Sequence, residues 1–381
     1  MRIGIDISQI VYEGTGVTRF TNGLVNAILD LDLKNNWIFF FSSLRRNLDQ
    51  SLEKKIMDRG HKIIKWKIPP TALSLLFNDL HSFSKLLTFN PSISLRTGFK
   101  FLTSLDWFIT SDWTEPPLPV NKTTVVHDLV YLRYPETVDP KILSTQKKRL
   151  NWVKKESRII FADSMATKQD LIDLLHIDSK KIYVNYPGVE VKKPSKVQIN
   201  LTLKKYNLNH PFILSVGKRE PRKNLDRLIS AYKKINSKKN DLVIVGPQGW
   251  DISLYRYNDI KENIRFLGFI QDIELYALYS SCLFFIFPSI WEGFGYPVVE
   301  AMKLGVPVAA SKTSSLGEIA KDAAYLFNPQ DLDEIFHCIN IMKSNEKLRK
   351  DLGKKGFERS KMFTWKNYYN RLIKTLYDYR N

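Results

Sequence analysis

Residues 287–308 read FPSIWEGFGYPVVEAMKLGVPV, and their reading decides the fold. The apolar run 282–287 that leads into them is rich in aromatic and branched residues and ends at Pro288, which predicts a buried strand. Pro297 suits the first turn of a helix, and Gly305 the position just past its end. Between strand and helix lies a loop, 289–296, holding Gly293 and Gly295. Strand, glycine-containing loop, helix is the order in which an open parallel sheet builds a ligand site at the carboxyl edge of its strands.

Two carboxylates frame this loop. Glu292 lies within it, and Glu300 follows eight residues later in the first turns of the helix. An ionised carboxylate only accepts hydrogen bonds, and its two oxygens can take two neighbouring hydroxyls. Sugars and riboses offer such diols. The two glycines let backbone N–H groups approach a ligand that a Cβ would hold off. The plainer reading is an acidic helix N-terminus matched to its dipole. It stays open for Glu300 alone; Trp291, Phe294 and Tyr296 beside two Gly and two Glu weigh against it for the loop as a whole.

The segment resembles the retaining, nucleotide-sugar-dependent glycosyltransferases of the family 4 type, which include bacterial mannosyltransferases and glycogen synthases. Their signature is Glu, seven residues, Glu, and Glu292 to Glu300 keeps that spacing. The resemblance implies that Glu292 contacts the donor sugar as a catalytic residue and that Glu300 holds the nucleotide ribose. It also implies that the backbone at Gly293, Phe294, Gly295 and Tyr296 faces the sugar hydroxyls and diphosphate. The implied fold is α/β of GT-B architecture: two Rossmann-like doubly wound domains facing a cleft, with a C-terminal helix crossing back to the first.

Length and composition agree with such a chain. The 381 residues suit two domains, and 44% hydrophobic residues supply their cores. With two cysteines, Cys282 and Cys338, no disulfide framework is expected, which points to a reducing cytosol. The N-terminus starts as a strand with no signal-peptide pattern, and no apolar run reaches the roughly 18 residues that span a bilayer. Lys and Arg number 58 against 39 Asp and Glu, a formal charge of +19. That implies an anionic partner: nucleic acid, lipid headgroups or a diphosphate. Few of those cations can touch one nucleotide sugar, so the excess points to a large anionic surface, most simply the inner face of the cytoplasmic membrane.

Along the chain, strands are expected at 2–7, 37–41, 63–68, 105–110, 123–126, 158–162 and 181–185. Gly14-Thr15-Gly16 precedes a helix over 18–29. A dinucleotide fingerprint would place its glycines directly after the strand, and here its sixth position is Arg19. Gly16 is read instead as part of a loop near the donor diphosphate or acceptor, against the alternative of an ordinary turn. Leu73, Leu76, Phe77, Leu80, Phe83 and Leu87 predict one amphipathic helix. With Lys85, Arg96 and Lys100 nearby, it suits a lipid surface or a lipid-linked acceptor, the plainer reading being a core-facing helix and loop.

His127-Asp128 ends a strand, where ligands bind in parallel sheets. His127 can donate or accept near neutral pH, with Asp128 to orient it; a structural histidine is the alternative. The segment VVHDLVYLRYPE resembles the family's His-Asp stretch, which implies a catalytic position for His127 near the donor sugar. The basic helix 140–157 reads as a solvated face or a membrane-facing patch. Asp163-Ser164 caps the next helix. Polar residues 190–209 are read as the interdomain linker. The expected domains are thus 1–190 with 363–381, the acceptor side, and 191–362, the donor side.

The second domain opens with a strand at 212–216 and the turn Gly217-Lys218-Arg219-Glu220-Pro221-Arg222-Lys223-Asn224. Four cations before a helix make an anion site. The segment SVGKREPRKNLDRLISAY resembles the family's diphosphate-binding turn, with Lys223 matching its lysine and Lys218, Arg219 or Arg222 its partner. By the same resemblance Phe269 and Ile270 meet the base. Asp331 and Asp333 read as helix capping, not as a metal site.

The resulting expectation is transfer of a hexose, mannose favoured, from a nucleoside-diphosphate sugar to a saccharide acceptor, read as lipid-linked, in surface-polysaccharide assembly, with no cofactor or metal. GDP-mannose is the preferred donor; UDP- and dTDP-sugars compete. Nucleic acid is not favoured, for want of a recognition helix, RNA motif or zinc spacing. A glycan-binding protein without catalysis is the remaining alternative.

Overall fold

The structure, a computed structural model, describes residues 1–12, 14–89, 104–235, 240–251, 254 and 263–380. Arg96 and Lys100 lie outside the described residues, as does the side chain of Leu87.

Among the described residues the strands form two parallel sheets. The first holds β1 (Arg2–Asp6), β2 (Asn36–Ser42), β3 (Lys62–Trp66), β4 (Trp107–Thr110), β5 (Asn121–Val126), β6 (Ser157–Ala162) and β7 (Ile182–Val184). Its order is β3-β2-β1-β4-β5-β6-β7. The second holds β8 (Phe212–Val216), β9 (Asp241–Val245), β10 (Ile264–Gly268), β11 (Phe284–Phe287), β12 (Val308–Ser311) and β13 (Tyr325–Phe327). Its order is β10-β9-β8-β11-β12-β13. Both faces are covered by helices, which is why the strands read as unbroken apolar runs: Phe39, Phe40 and Phe41 are all buried, as are Phe284 and Phe285. In each sheet the chain builds outward one way, returns to the middle and builds the other way. The reversals fall between β1 and β4 and between β8 and β11. The loops leaving the two central strands diverge there and leave a crevice beyond their carboxyl ends.

The chain divides into two compact units, Met1–Gly188 with Thr364–Asn381, and Val189–Phe363. The terminal helix Trp365–Asp378 belongs to the first, where Trp365, Tyr368, Leu372 and Leu376 join its core. Trp107 Nε1 donates to the Leu376 carbonyl at 3.1 Å, and Asn185 Nδ2 to that of Tyr368 at 3.1 Å. Gly23 and Gly188 leave room for the Trp365 indole, which a Cβ at either would overlap.

Three expectations are corrected. The 190–209 stretch is not a bare linker: it contains the helix Lys196–Lys205, closed by a capping box between Ser195 and Gln198. Its end is tied to the Asp272–Tyr279 helix, where Tyr206 Oη donates to Glu274 at 3.1 Å and Lys205 pairs with the same carboxylate. The 73–87 stretch is not one helix but Pro70–Ser74, a π turn at Leu75–Asp79, and His81–Phe89. The basic helix, Pro140–Glu156, is not solvated throughout: Arg149 is fully buried, donating to Thr124 Oγ1 at 2.6 Å and to Asp112 at 3.3 Å.

Candidate active site

In the second unit the site grows from the two strands at the reversal. The turn after β8 is held from below by Gly246 at the end of β9. Its φ is +147°, and an added Cβ would overlap the Gly217 carbonyl, so only glycine lets the two loops touch. Residues Pro221–Lys223 form one 3₁₀ turn, closed by Asn224 in the left-handed region at φ +57°. Asn224 Nδ2 donates to the carbonyls of Pro288 at 3.1 Å and Pro329 at 2.7 Å, which pins the turn to the segments that follow β11 and β13. The Ile290 amide donates to the Arg222 carbonyl at 2.9 Å, and Arg222 Nη1 donates to that of Trp291 at 2.7 Å.

These contacts bring Arg222, Lys223 and Glu292 together. Lys223 Nζ lies 2.6 Å from Glu292 Oε1, and Arg222 Nη1 lies 2.8 Å from Oε2. Glu292 is 8% exposed. Burial by itself raises its pKa, but Arg222 and Lys223 outweigh burial and hold the carboxyl down at about 2. Lys223 is pulled below its ordinary value by burial first and by neighbouring Arg222 second, against the attraction of Glu292. Arg222, Lys223 and Glu292 therefore form an ion triad, and Glu220 lies against its edge, 3.5 Å from Arg222 Nη2. Of the cations named beside Lys223, Arg222 is the one that shares Glu292 with it. Lys218 and Arg219 instead lie over the rings of Trp250 and Phe266, each at 4.3 Å. Trp250, which follows β9 in the glycine-bearing turn Gln248-Gly249-Trp250, escaped the sequence reading.

Glu300 is 2% exposed in the helix Tyr296–Lys303, with Tyr279 Oη 3.5 Å from its Oε2. Gly295 precedes this helix at φ +98°, where an added Cβ would meet Leu316. Phe294 turns its ring into the core against Tyr296 and Phe363, which leaves its backbone as the part available to a ligand. Ser315 Oγ lies 2.9 Å from the Glu292 carbonyl and 3.0 Å from that of Phe294, and the Glu292 amide donates to Ser314 Oγ at 3.1 Å. These serines shape the loop. Gly293 lies in the same loop. Phe269 and Ile270 differ: Phe269 is 68% exposed and Ile270 is buried. Asp331 caps its helix, accepting from the amides of Asp333 and Glu334 at 2.9 and 3.0 Å.

In the first unit, His127 directly follows β5. Asp128 does not orient it: that carboxylate accepts from the Val130 amide at 3.1 Å. Asp163, at the end of the adjacent strand β6, takes the role, with Oδ2 2.7 Å from His127 Nδ1. Of the pair Asp163-Ser164 expected to cap the next helix, Ser164 is the cap, accepting from the Thr167 amide at 3.0 Å. Burial lowers the pKa of the imidazole, but the Asp163 contact overturns that and lifts it to about 9; burial also pushes the Asp163 carboxyl up. The Asp163 carboxylate thus favours the protonated imidazole, whose Nδ1 then donates to it. Phe20 packs edge-on against it at 4.7 Å. His127, Asp6, Gln9, Thr21, Ser111 and Asp112 line a pocket beyond β1, β4 and β5. Gly16 is not in a loop but opens the helix Gly16–Leu31, whose N-cap Thr15 accepts from the Thr18 amide at 3.1 Å.

Residues 202–359 match the family model described as glycosyl transferases group 1. Among curated proteins the chain is 28% identical over 260 residues to O-antigen chain mannosyltransferase B of Escherichia coli, covering 66% of this chain and 68% of that one. It is 30% identical over 265 residues to the serotype-specific mannosyltransferase WbdA of Escherichia coli, covering 66% of this chain and 32% of that one, so it spans about a third of this relative's length. Among solved structures, Alr3699/HepE of Anabaena, crystallised with UDP and glucose, superposes with a TM-score of 0.71 at 16% identity, covering 99% of this chain and 100% of that one. That likeness concerns the fold, which is the GT-B architecture of two Rossmann-like domains.

Proposed function

We propose, from the match of residues 202–359 to the group 1 glycosyl transferases, that the protein moves a hexose, with mannose favoured, from a nucleoside diphosphate to a saccharide hydroxyl in surface-polysaccharide biosynthesis. One observation carries the reading: Arg222 and Lys223 from the turn after β8 meet Glu292 from the loop after β11, at 2.8 and 2.6 Å, where the strand order reverses. As the bond from sugar C1 to the diphosphate oxygen breaks, its electron pair passes to that oxygen. Cations already fixed in place favour the transition state over the ground state, because they need not reorganise as the charge develops. On this reading Glu292 holds the two cations and offers carboxylate oxygen to the sugar hydroxyls, while Glu300 takes the ribose diol. Arg222 and Lys223 supply the positive charge, so the reaction needs no metal. Transfer is with retention on the front face: the acceptor oxygen bonds to C1 and its proton goes to the departing phosphate oxygen. A role for His127 at the sugar rests on the resemblance of its segment.

Similarity to the Escherichia coli mannosyltransferases supports mannose, which makes GDP-mannose the first donor to test. UDP-sugars are the competing class, since a protein of the same fold was solved with UDP and glucose. A lipid-linked acceptor accords with the formal charge of +19. Among the described residues no helix is long and apolar enough to cross a membrane, and the protein would work peripherally on the inner face.

A thermal-shift screen of GDP-, UDP- and dTDP-sugars, followed by detection of the glycosylated acceptor, tests this. A ligand at a hundred times its Kd stabilises by about 2.7 kcal/mol. GDP-mannose is expected to raise the transition with or without a magnesium chelator. Failure of every nucleotide sugar to do so would remove the proposal.

A further inference from the structure

Between β3 and β4 the chain turns apolar side chains outward. The π turn at Leu75–Asp79 is the cause: the Leu80 amide donates to the Leu75 carbonyl at 2.8 Å, five residues back instead of four. One extra residue rotates everything after it by about 100°. Leu73 and Phe77, before the break completes, are buried, whereas Leu75, Leu80 and Phe83 are 54%, 47% and 58% exposed.

The inward face beyond the break is polar and anchored. Asn78 Nδ2 donates to the Trp113 carbonyl at 3.0 Å, and its Oδ1 accepts from the Glu115 amide at 3.1 Å. His81 is fully buried, with Nδ1 2.7 Å from the Phe77 carbonyl, Nε2 3.1 Å from Glu156, and its ring stacked on Trp152 at 3.9 Å. Ser84 Oγ donates to the Leu76 carbonyl at 2.7 Å. Turning Leu80 and Phe83 inward would break these buried hydrogen bonds and leave their partners unsatisfied, so the fold enforces the exposure.

Lysines border this patch. The helix Pro140–Glu156 lies alongside: Trp152 Nε1 donates to the Asn78 carbonyl at 2.8 Å, and Lys148 pairs with Asp79. Lys141, Lys148 and Lys155 recur at helical spacing on the side that carries those contacts, and Lys155 Nζ lies 4.8 Å over the Trp152 ring. Lys85 follows Phe83 and is half exposed. These lysines outnumber the acids paired with them, Asp79 and Glu156.

We infer that this face, Leu75, Leu80 and Phe83 bordered by Lys85, Lys148 and Lys155, docks on an anionic phospholipid surface. The apolar side chains enter the headgroup layer while the ammonium groups meet phosphates. The inference rests on the membrane-linked acceptor proposed above and names the face that meets the lipid.

Co-sedimentation of the full chain with phosphatidylcholine vesicles, with and without phosphatidylglycerol, tests it. The protein is expected to pellet with the anionic vesicles and to be released by salt. Leu80→Gln with Phe83→Gln is expected to weaken that binding by at least about tenfold, and Lys85→Ala with Lys155→Ala to weaken it severalfold and flatten its salt dependence. Stabilisation by a nucleotide sugar, measured on the same variants, reports folding and the donor site separately and is expected to be unchanged. Loss of donor stabilisation in the wild type would strike the proposed activity, not the docking face. Three results would overturn the docking face: wild type left in the supernatant with anionic vesicles, equal pelleting of the Leu80/Phe83 variant, or a concentration-dependent dimer that the same two substitutions abolish.

Discussion

Replacing Asp163 by Asn keeps an oxygen acceptor for His127 Nδ1 but removes the charge. In the wild type that contact is 2.7 Å, with Asp163 3% and His127 18% exposed by side chain. Burial opposes protonation of the imidazole, and the carboxylate nevertheless lifts its pKa from 6.5 to about 9. The gain in proton affinity is roughly 300-fold, or about 3 kcal/mol at 1.36 kcal/mol per factor of ten. Asp163→Asn forfeits most of that gain and keeps the burial, leaving the weaker pull of Asp112 and Asp128, so the His127 pKa is expected to fall well below 9. The sign for stability follows. A group whose pKa is raised on folding contributes fully below its unfolded value of about 6.5 and loses that contribution as pH rises through about 9. The first unit should therefore lose about 3 kcal/mol over that window in the wild type and little of it in the variant. Ring-nitrogen NMR on histidine-labelled protein reads the titration directly. The chain has six histidines, and the signal of interest is the one missing from His127→Gln. A variant ring that still titrates near 9 would refute the reasoning, as would a wild-type ring near 6.5.

The ion triad makes a second prediction: Lys223→Ala should slow hexose transfer by about a hundredfold, measured as initial rate at saturating donor. Glu292, held at about 2 against an ordinary 4.5, stabilises the second unit by about 3 kcal/mol above pH 4.5, and that contribution should fade as pH falls toward 2. Urea midpoints at pH 3 and pH 6 should differ in the wild type and converge in Glu292→Gln. Gly246→Ala places a Cβ against the Gly217 carbonyl at φ +147°, and a loss of about 3 kcal/mol or more is expected as a lowered Tm. Gly23→Ala meets the Trp365 indole and should cost about 1–3 kcal/mol, seen as faster proteolytic release of the terminal helix.

Much of the chain was legible because its signals are local. The apolar runs at β1, β8 and β11 and the glycine and proline punctuation around residues 287–308 depend on neighbours within a few positions, and each found its element. The spacing of Glu292 and Glu300 and the basic turn ending at Lys223 were likewise visible. The capping box at Ser195 and Gln198 was present in the letters but lay inside a polar stretch, so the Lys196–Lys205 helix passed as linker. The π turn left no such trace: the 73–87 pattern is helical in either register, and the buried partners of Asn78, His81 and Ser84 decide which side chains face out.

Local order thus determined that the chain alternates strands and helices twice over, and which loops carry acids, cations and glycines. The tertiary structure decided the pairings. Asp163 meets His127 because β5 and β6 are neighbours in the sheet, and Arg222 joins Lys223 on Glu292 because β8 and β11 lie side by side across the strand reversal. Strand order is set by how helices cover both faces of a sheet, an interaction between segments dozens of residues apart, and the periodicity of any one segment carries no record of it.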